Sequence, residues 1–138
     1  MTTMLMGGCL CGAVRYQTAT APVMAGNCHC RDCQRTSGSG YSPTFFVPGA
    51  AVTITGQVNY FESKGDSGHT VSRGFCPNCG SQLFGKVELM PGLLAIRAGT
   101  LDDPALYKPA LDLYTSRAPH WDAMDADLPK FAEMPPPA

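Results

Sequence analysis

Seven cysteines in 138 residues fall into three groups: Cys9 and Cys11 in "CLCG", Cys28, Cys30 and Cys33 in "CHCRDC", and Cys76 and Cys79 in "CPNCG". A buried cysteine behaves as a small hydrophobe, and a core has little use for three within six positions beside Arg31, Asp32 and Arg35. An odd count cannot be fully paired within one chain. The first residues, "MTTMLMGG", offer neither the basic nor the apolar region of a secretory signal, so a cytoplasmic setting is expected, where thiols stay reduced. Metal ligation therefore ranks above a disulfide, and an iron–sulfur cluster ranks low because the trio lacks a fourth nearby cysteine.

Spacing says how such ligands would be used. In "CPNCG", a Cys-x-x-Cys turn brings two thiolates onto one ion, and Gly80 can take the left-handed conformation that aims backbone N–H groups at sulfur. In "CLCG", residues i and i+2 of an extended chain share a face with Cα atoms about 6.6 Å apart. Two sulfurs on one zinc stand roughly 3.8 Å apart, and a bend at Gly12 would close the gap. Four thiolates seal a structural zinc, whereas three leave one position open, as catalytic zinc requires. The count thus permits a closed set of Cys9, Cys11, Cys76 and Cys79 beside an open trio. Spacing equally permits Cys76 and Cys79 to close on two members of the trio, and loop-closure entropy grows too slowly with length to choose. His29, between two ligands in extended chain, is expected to point away from them and not to ligate.

The elements that must hold these residues read as short strands. "CGAVRYQ", "SPTFFVP", "AVTITG", "VNYFES", "LLAIRAG" and "ALDLYTS" each alternate or carry β-branched and aromatic residues, and "HTVSRGF" and "SQLFGKVE" resemble two arms of a hairpin around "CPNCG". Only "RDCQRTSG", with Gly38 as a stop, and "LDDPALY" offer short helical turns. The chain is expected to be one mostly-β domain over residues 1–138, with 130–138 a free tail ending in "MPPPA". Tyr41, Phe45 and Phe46 are expected in the core, Trp121 as an apolar cover, and His69 and His120 at the surface.

Composition narrows the function. The net charge of −1 gives no general grip on nucleic acid, and no apolar run could span a membrane. Charge is uneven: residues 1–100 hold seven Lys/Arg against four Asp/Glu, and 101–138 hold three against seven. The cysteine-bearing part is therefore the basic part. No Gly-x-Gly-x-x-Gly is present, so no dinucleotide site is expected.

In this order, "GGCLCGAVRY", "CHCRDCQRTSGS" and "FCPNCGSQLF" resemble the glutathione-dependent formaldehyde-activating enzyme family. The resemblance covers most of residues 7–85 and loosens beyond about 86. It implies small antiparallel sheets, as in a zinc-binding exchange-factor chaperone, built around a structural zinc on Cys9, Cys11, Cys76 and Cys79. It also implies a second, catalytic zinc on Cys28, Cys30 and Cys33, with glutathione or another small thiol as partner. The reaction implied is a carbon–sulfur lyase/synthase step, giving S-hydroxymethylglutathione without redox change. Arg31 and Arg35, on the trio's own segment, are the expected contacts for glutathione carboxylates, with Arg73 a weaker candidate. The alternative is a non-catalytic zinc module that binds a thiol or a protein partner.

Overall fold

The computed structural model describes residues 3–135. Strands run β1 Leu5–Gly8, β2 Arg15–Thr18, β3 Met24–Cys28, β4 Ser42–Pro48, β5 Thr53–Thr55, β6 Asn59–Lys64, β7 Thr70–Phe75, β8 Gln82–Val87, β9 Leu93–Arg97 and β10 Leu111–Leu113. One short helix, α1, covers Arg31–Ser37, and single helical turns punctuate the loops. A three-stranded antiparallel sheet has the order β1-β2-β5; a seven-stranded sheet has the order β10-β3-β4-β9-β8-β7-β6. The larger sheet is antiparallel except where β10 joins β3 in parallel. The mostly-β expectation holds, as do the hairpin around "CPNCG" and the helical turn that Gly38 ends.

Alternation assigns the two faces of the larger sheet opposite tasks. Phe45 and Val47 of β4, Leu94 and Ile96 of β9, and Phe84 of β8 are buried and join Leu5, Val14 and Tyr16 of the smaller sheet in one core. Tyr16 stands edge-on to Phe84, with ring centroids 5.6 Å apart. The intervening residues, Gly26, Cys28, Thr44, Phe46, Ala95, Arg97, Gly85 and Arg73, line a cavity on the other face. Phe46 therefore faces the cavity, whereas Phe45 lies in the core as expected. Trp121 differs from its expected role as a sheet cover. It is 65% exposed and lies against Gly40 at the outside, since the sheet's open face is already taken by the cavity.

The parallel β10–β3 pair and the corner after β3 are held by buried charge. His29 is fully buried; its Nδ1 lies 2.5 Å from Asp122 Oδ2 and its Nε2 3.1 Å from Asp112 Oδ1. Lys130 donates to the other Asp112 oxygen at 3.1 Å, and Asn27 Nδ2 donates to Asp112 at 3.2 Å. Tyr41 packs its ring on His29. Consequently the chain from Lys130 onward is no free tail at its start. The N–H of Phe131 donates to Asp112, and those of Tyr114, Thr115 and Ser116 donate to residues 131–133. The remainder of the expected tail, 136–138, lies outside the described residues.

Two consequences can be measured. A Cβ on Gly26 would stand 2.7 Å from the Leu111 side chain and 2.9 Å from its carbonyl oxygen, so Gly26→Ala must push β10 away from β3. The expected cost is about 1–3 kcal/mol in urea unfolding; an unchanged midpoint would contradict the close approach. Burial alone would raise the Asp112 carboxyl, but hydrogen bonds from His29, Lys130 and Asn27 outweigh it and hold the group below its ordinary value. A depressed carboxyl contributes stability above its unfolded pKa, near 3.9, and loses it as pH falls through the folded value. Unfolding midpoints should therefore drop as the pH falls below about 4, and Asp112→Asn should be less stable at neutral pH with a shallower acid slope.

Candidate metal centres and the cavity beside them

The seven cysteines converge on two points. Cys9, Cys11, Cys76 and Cys79 form one group and Cys28, Cys30 and Cys33 another, with the ligand sulfurs of each group all within 4.8 Å of one another. The pairing that spacing left open, Cys76 and Cys79 with members of the trio, is not the one found.

In the quartet, Cys9 and Cys11 follow β1 in a tight turn whose bend falls at Gly12, φ +82°. Cys76 to Gly80 form the β7–β8 turn, and Gly80 at φ +79° donates its N–H to the Cys76 carbonyl. The Sγ atoms of Cys9 and Cys11 are 3.6 Å apart, and those of Cys11 and Cys76 3.8 Å, close to the edge of a zinc–thiolate tetrahedron. Backbone N–H groups of Val14 and Asn78 donate to the sulfurs of Cys9 and Cys76 at 3.2 and 3.4 Å. Ser81 contacts Cys79 Sγ at 3.2 Å and accepts from the Leu10 N–H at 3.0 Å, joining the two turns. Hydrogen bonds from Ser81, with Cys11 adding to them, hold the Cys79 thiol down to about 5. The donor set and its spacing fit a closed tetrahedral ion such as zinc.

The trio sits where β3 ends and α1 begins. Cys28 closes β3 opposite Ser42, Cys30 caps α1 by accepting from the Cys33 N–H at 3.3 Å, and Cys33 lies in the first turn. Extended backbone at Cys30 places Cys28 and Cys30 on one side and His29 on the other, as the alternation of the sequence requires. Gln34 fixes α1 by donating to the carbonyls of His29 and Arg117 at 2.8 and 2.9 Å. Cys33 is held well below the ordinary thiol range by hydrogen bonds from Cys28 and Cys30, with the charges of Arg97 and Arg73 adding to this. Cys28 is pushed up by its hydrogen bonds to Cys30 and Cys33.

All three cysteines open into the cavity of about 130 Å³ on the sheet's second face. Its walls include Phe46, Val71, Val87 and Leu113, and its polar groups include Arg73, Arg97 and Thr44. Arg31 and Arg35 are exposed on the outer side of α1 and do not line it; Arg31 instead hydrogen-bonds Gln34. The weaker sequence candidate, Arg73, is the buried one. Arg97 went unnoticed, though an arginine inside the apolar run "LLAIRAG" is a signal of a strand with two buried faces. Tyr114, also missed, lines the cavity from a left-handed backbone at φ 55°, a strained conformation for a tyrosine. His69 is partly exposed and pairs with Glu88, and His120 is exposed, both as expected.

Comparison with known proteins places the chain among relatives. A protein of Penicillium rubens named "Putative glutathione-dependent formaldehyde-activating enzyme" is 34% identical over 82 residues, 58% of this chain. The matched stretch spans only 42% of that fungal relative. A protein of Halomonas elongata with the same name is 28% identical over 130 residues, 86% of this chain and 79% of its own length. A crystal structure of a Rhodobacter sphaeroides protein shares the fold with a TM-score of 0.55 at 20% identity, over 70% of this chain and 87% of that one. The profile of one family, described as glutathione-dependent formaldehyde-activating enzyme, matches residues 4–117. That match spans most of the chain, and the chain belongs to the glutathione-dependent formaldehyde-activating enzyme family.

Proposed function

We propose that this chain is a zinc-dependent carbon–sulfur lyase/synthase that reversibly joins glutathione, or a similar small thiol, to formaldehyde or a related small carbonyl. Two zinc ions per chain are proposed, a structural one on Cys9, Cys11, Cys76 and Cys79 and a catalytic one on Cys28, Cys30 and Cys33. The observation that carries the reading is the contrast between the sets: four mutually close sulfurs at the edge of the core, three opening into a cavity. A binding module needs one closed ion and has little use for the second set.

Zinc on the trio would supply a Lewis acid with a position left for an incoming thiol, whose proton it would help to displace. Cys28, Cys30 and Cys33 would hold that ion, because β3 and the cap of α1 direct all three sulfurs into the cavity. Phe46, Val71, Val87 and Leu113 exclude water from the place where the thiol sulfur meets the carbonyl carbon. A carbon–sulfur bond forms there, the thiol proton is released, and the former carbonyl oxygen is protonated from water, so no electrons change hands. The His29 clamp keeps Cys28 and Cys30 aimed together, because rotating that segment would strand two buried carboxylates. A cytoplasmic setting, which keeps these thiols reduced, belongs to the same proposal; no helix among the described residues is long and apolar enough to cross a membrane.

Protein purified with reductant and excess zinc should hold close to two zinc per chain by elemental analysis. Cys30→Ser should lower this to about one while thermal stability stays near wild type. Cys79→Ser should lower the melting temperature sharply, since closed thiolate sites contribute ~10 kcal/mol or more. One zinc in the wild type, unaffected by Cys30→Ser, would leave the proposed catalytic metal without a place. Exchange spectroscopy of glutathione mixed with formaldehyde should show faster adduct exchange with the wild type than without protein, and background exchange with Cys30→Ser. Equal exchange with and without wild type would remove the formaldehyde assignment.

A further inference from the structure

The cavity beside the trio contains positive charge that the protein itself does not match. Arg73, on β7, is 6% exposed and its Nε is buried with no hydrogen-bond partner among the described residues. Its Nη1 donates to Ser63 at 3.1 Å, which satisfies one corner of the guanidinium only. Arg97, on β9, donates from Nη1 to Thr44 at 2.8 Å. Neither arginine has a carboxylate within 4.0 Å among the described residues. Asp66 and Asp32 also line the cavity, but Asp66 pairs with Arg117 at 3.5 Å, and neither reaches Arg73 or Arg97.

Register puts both arginines on the cavity face of the sheet. Arg73 is paired with Gly85, and Gly85 with Ala95, so two residues without bulk lie between β7 and the side chain of Arg97. A Cβ built on Gly85 would lie 3.8 Å from Arg97 Nη2, which places that guanidinium over the glycine. From Gly26, two residues before Cys28, the paired row runs through Thr44 to Arg97. Arg97 therefore starts two strands, roughly 10 Å, away from β3. The arginines and the sulfurs line one cavity.

Burying a guanidinium nitrogen unpaired costs free energy that a bound acceptor would recover. Two guanidinium groups lining one cavity, one of them with an unpaired buried Nε, suit the two oxygens of a carboxylate. Charge balance with three thiolates would explain one arginine near sulfur, but not a buried Nε left without an acceptor. We infer that Arg73 and Arg97 form a carboxylate-binding subsite of the trio's cavity, selecting thiols that carry a carboxylate a few bonds from sulfur. The inference rests on the thiol-binding reading above and makes these two arginines, not Arg31 and Arg35, its specificity residues.

The test is calorimetric titration of the zinc-loaded protein with 3-mercaptopropionate and with its methyl ester, alongside zinc content before and after. The ratio of the two affinities is read for wild type, Arg97→Gln and Arg73→Gln, so that intrinsic differences between the thiols cancel. Wild type should favour the acid over the ester by about tenfold more than either variant does, the effect of losing one charged hydrogen-bonding partner. Arg97 is only partly buried, so Arg97→Gln decides the question if Arg73→Gln fails to fold. An equal loss of affinity for acid and ester in Arg97→Gln would mean that the arginine only balances the thiolates, and would overturn the subsite. A ratio unchanged by either substitution would overturn it too, while leaving thiol binding intact. Binding of neither thiol to any form would sink the thiol-binding reading itself and the subsite with it.

Discussion

Each strand of the seven-stranded sheet must place successive side chains on opposite sides, and that constraint decides where chemistry can occur. The central strands β4 and β9 have no face to spare for solvent. Phe45, Val47, Leu94 and Ile96 fill the core with the smaller sheet, so Thr44, Phe46, Ala95 and Arg97 are committed to the other side. That second side has no sheet to cover it; α1 and the loop after β10 close it only in part. What remains is a cavity, with its floor lowered by Gly26, Gly85 and Ala95 and its end formed by Cys28. A one-residue slip of β3 would put Cys28 in the core and remove the trio from the cavity.

Buried charge fixes that register. His29 lies between Cys28 and Cys30 in sequence yet points the opposite way, into Asp112 and Asp122. Those carboxylates come from the last third of the chain, so the clamp joins β3 to β10 and to the segment beyond it. Lys130 completes the charge on Asp112 and explains why residues 130–133 run along β10 instead of leaving the surface. The acidic excess of residues 101–138 thereby acquires a structural meaning. Part of it is buried, where Asp112 and Asp122 hydrogen-bond His29 and Asp112 pairs with Lys130, and is not a solvated face.

Much of this was legible in the sequence, and the unread parts share a cause. The hairpin around "CPNCG", the helix ended by Gly38, and the outward turn of His29 depend on residues within a few positions of one another. β3 was missed because Met24, Ala25, Gly26, Asn27 and Cys28 include no β-branched or aromatic residue. Its glycine answers to Leu111, far along the chain, whose side chain and carbonyl crowd the place a Cβ would occupy. The pairing of β3 with β10 is likewise non-local. Trp121 was misplaced because apolar character says that a residue seeks cover, not which surface is still free to give it.

The same distinction separates the two cysteine sets. Each half of the quartet receives a backbone N–H donor from within its own turn, Val14 for Cys9 and Asn78 for Cys76. Its electrostatics are local to each turn, although only the fold decides which two turns share an ion. The trio draws a local donor only from its cap, Cys33 N–H to Cys30, and its positive surroundings come from Arg73 and Arg97, far along the chain on β7 and β9. Arg31 and Arg35 are nearer in sequence but ride the outer side of α1, because Cys33 and Gln34 take its inner side. Each half of a sealed centre can be written into a turn. An open one needs a cavity with charge facing it across empty space, and only the folded sheet brings distant strands to that position.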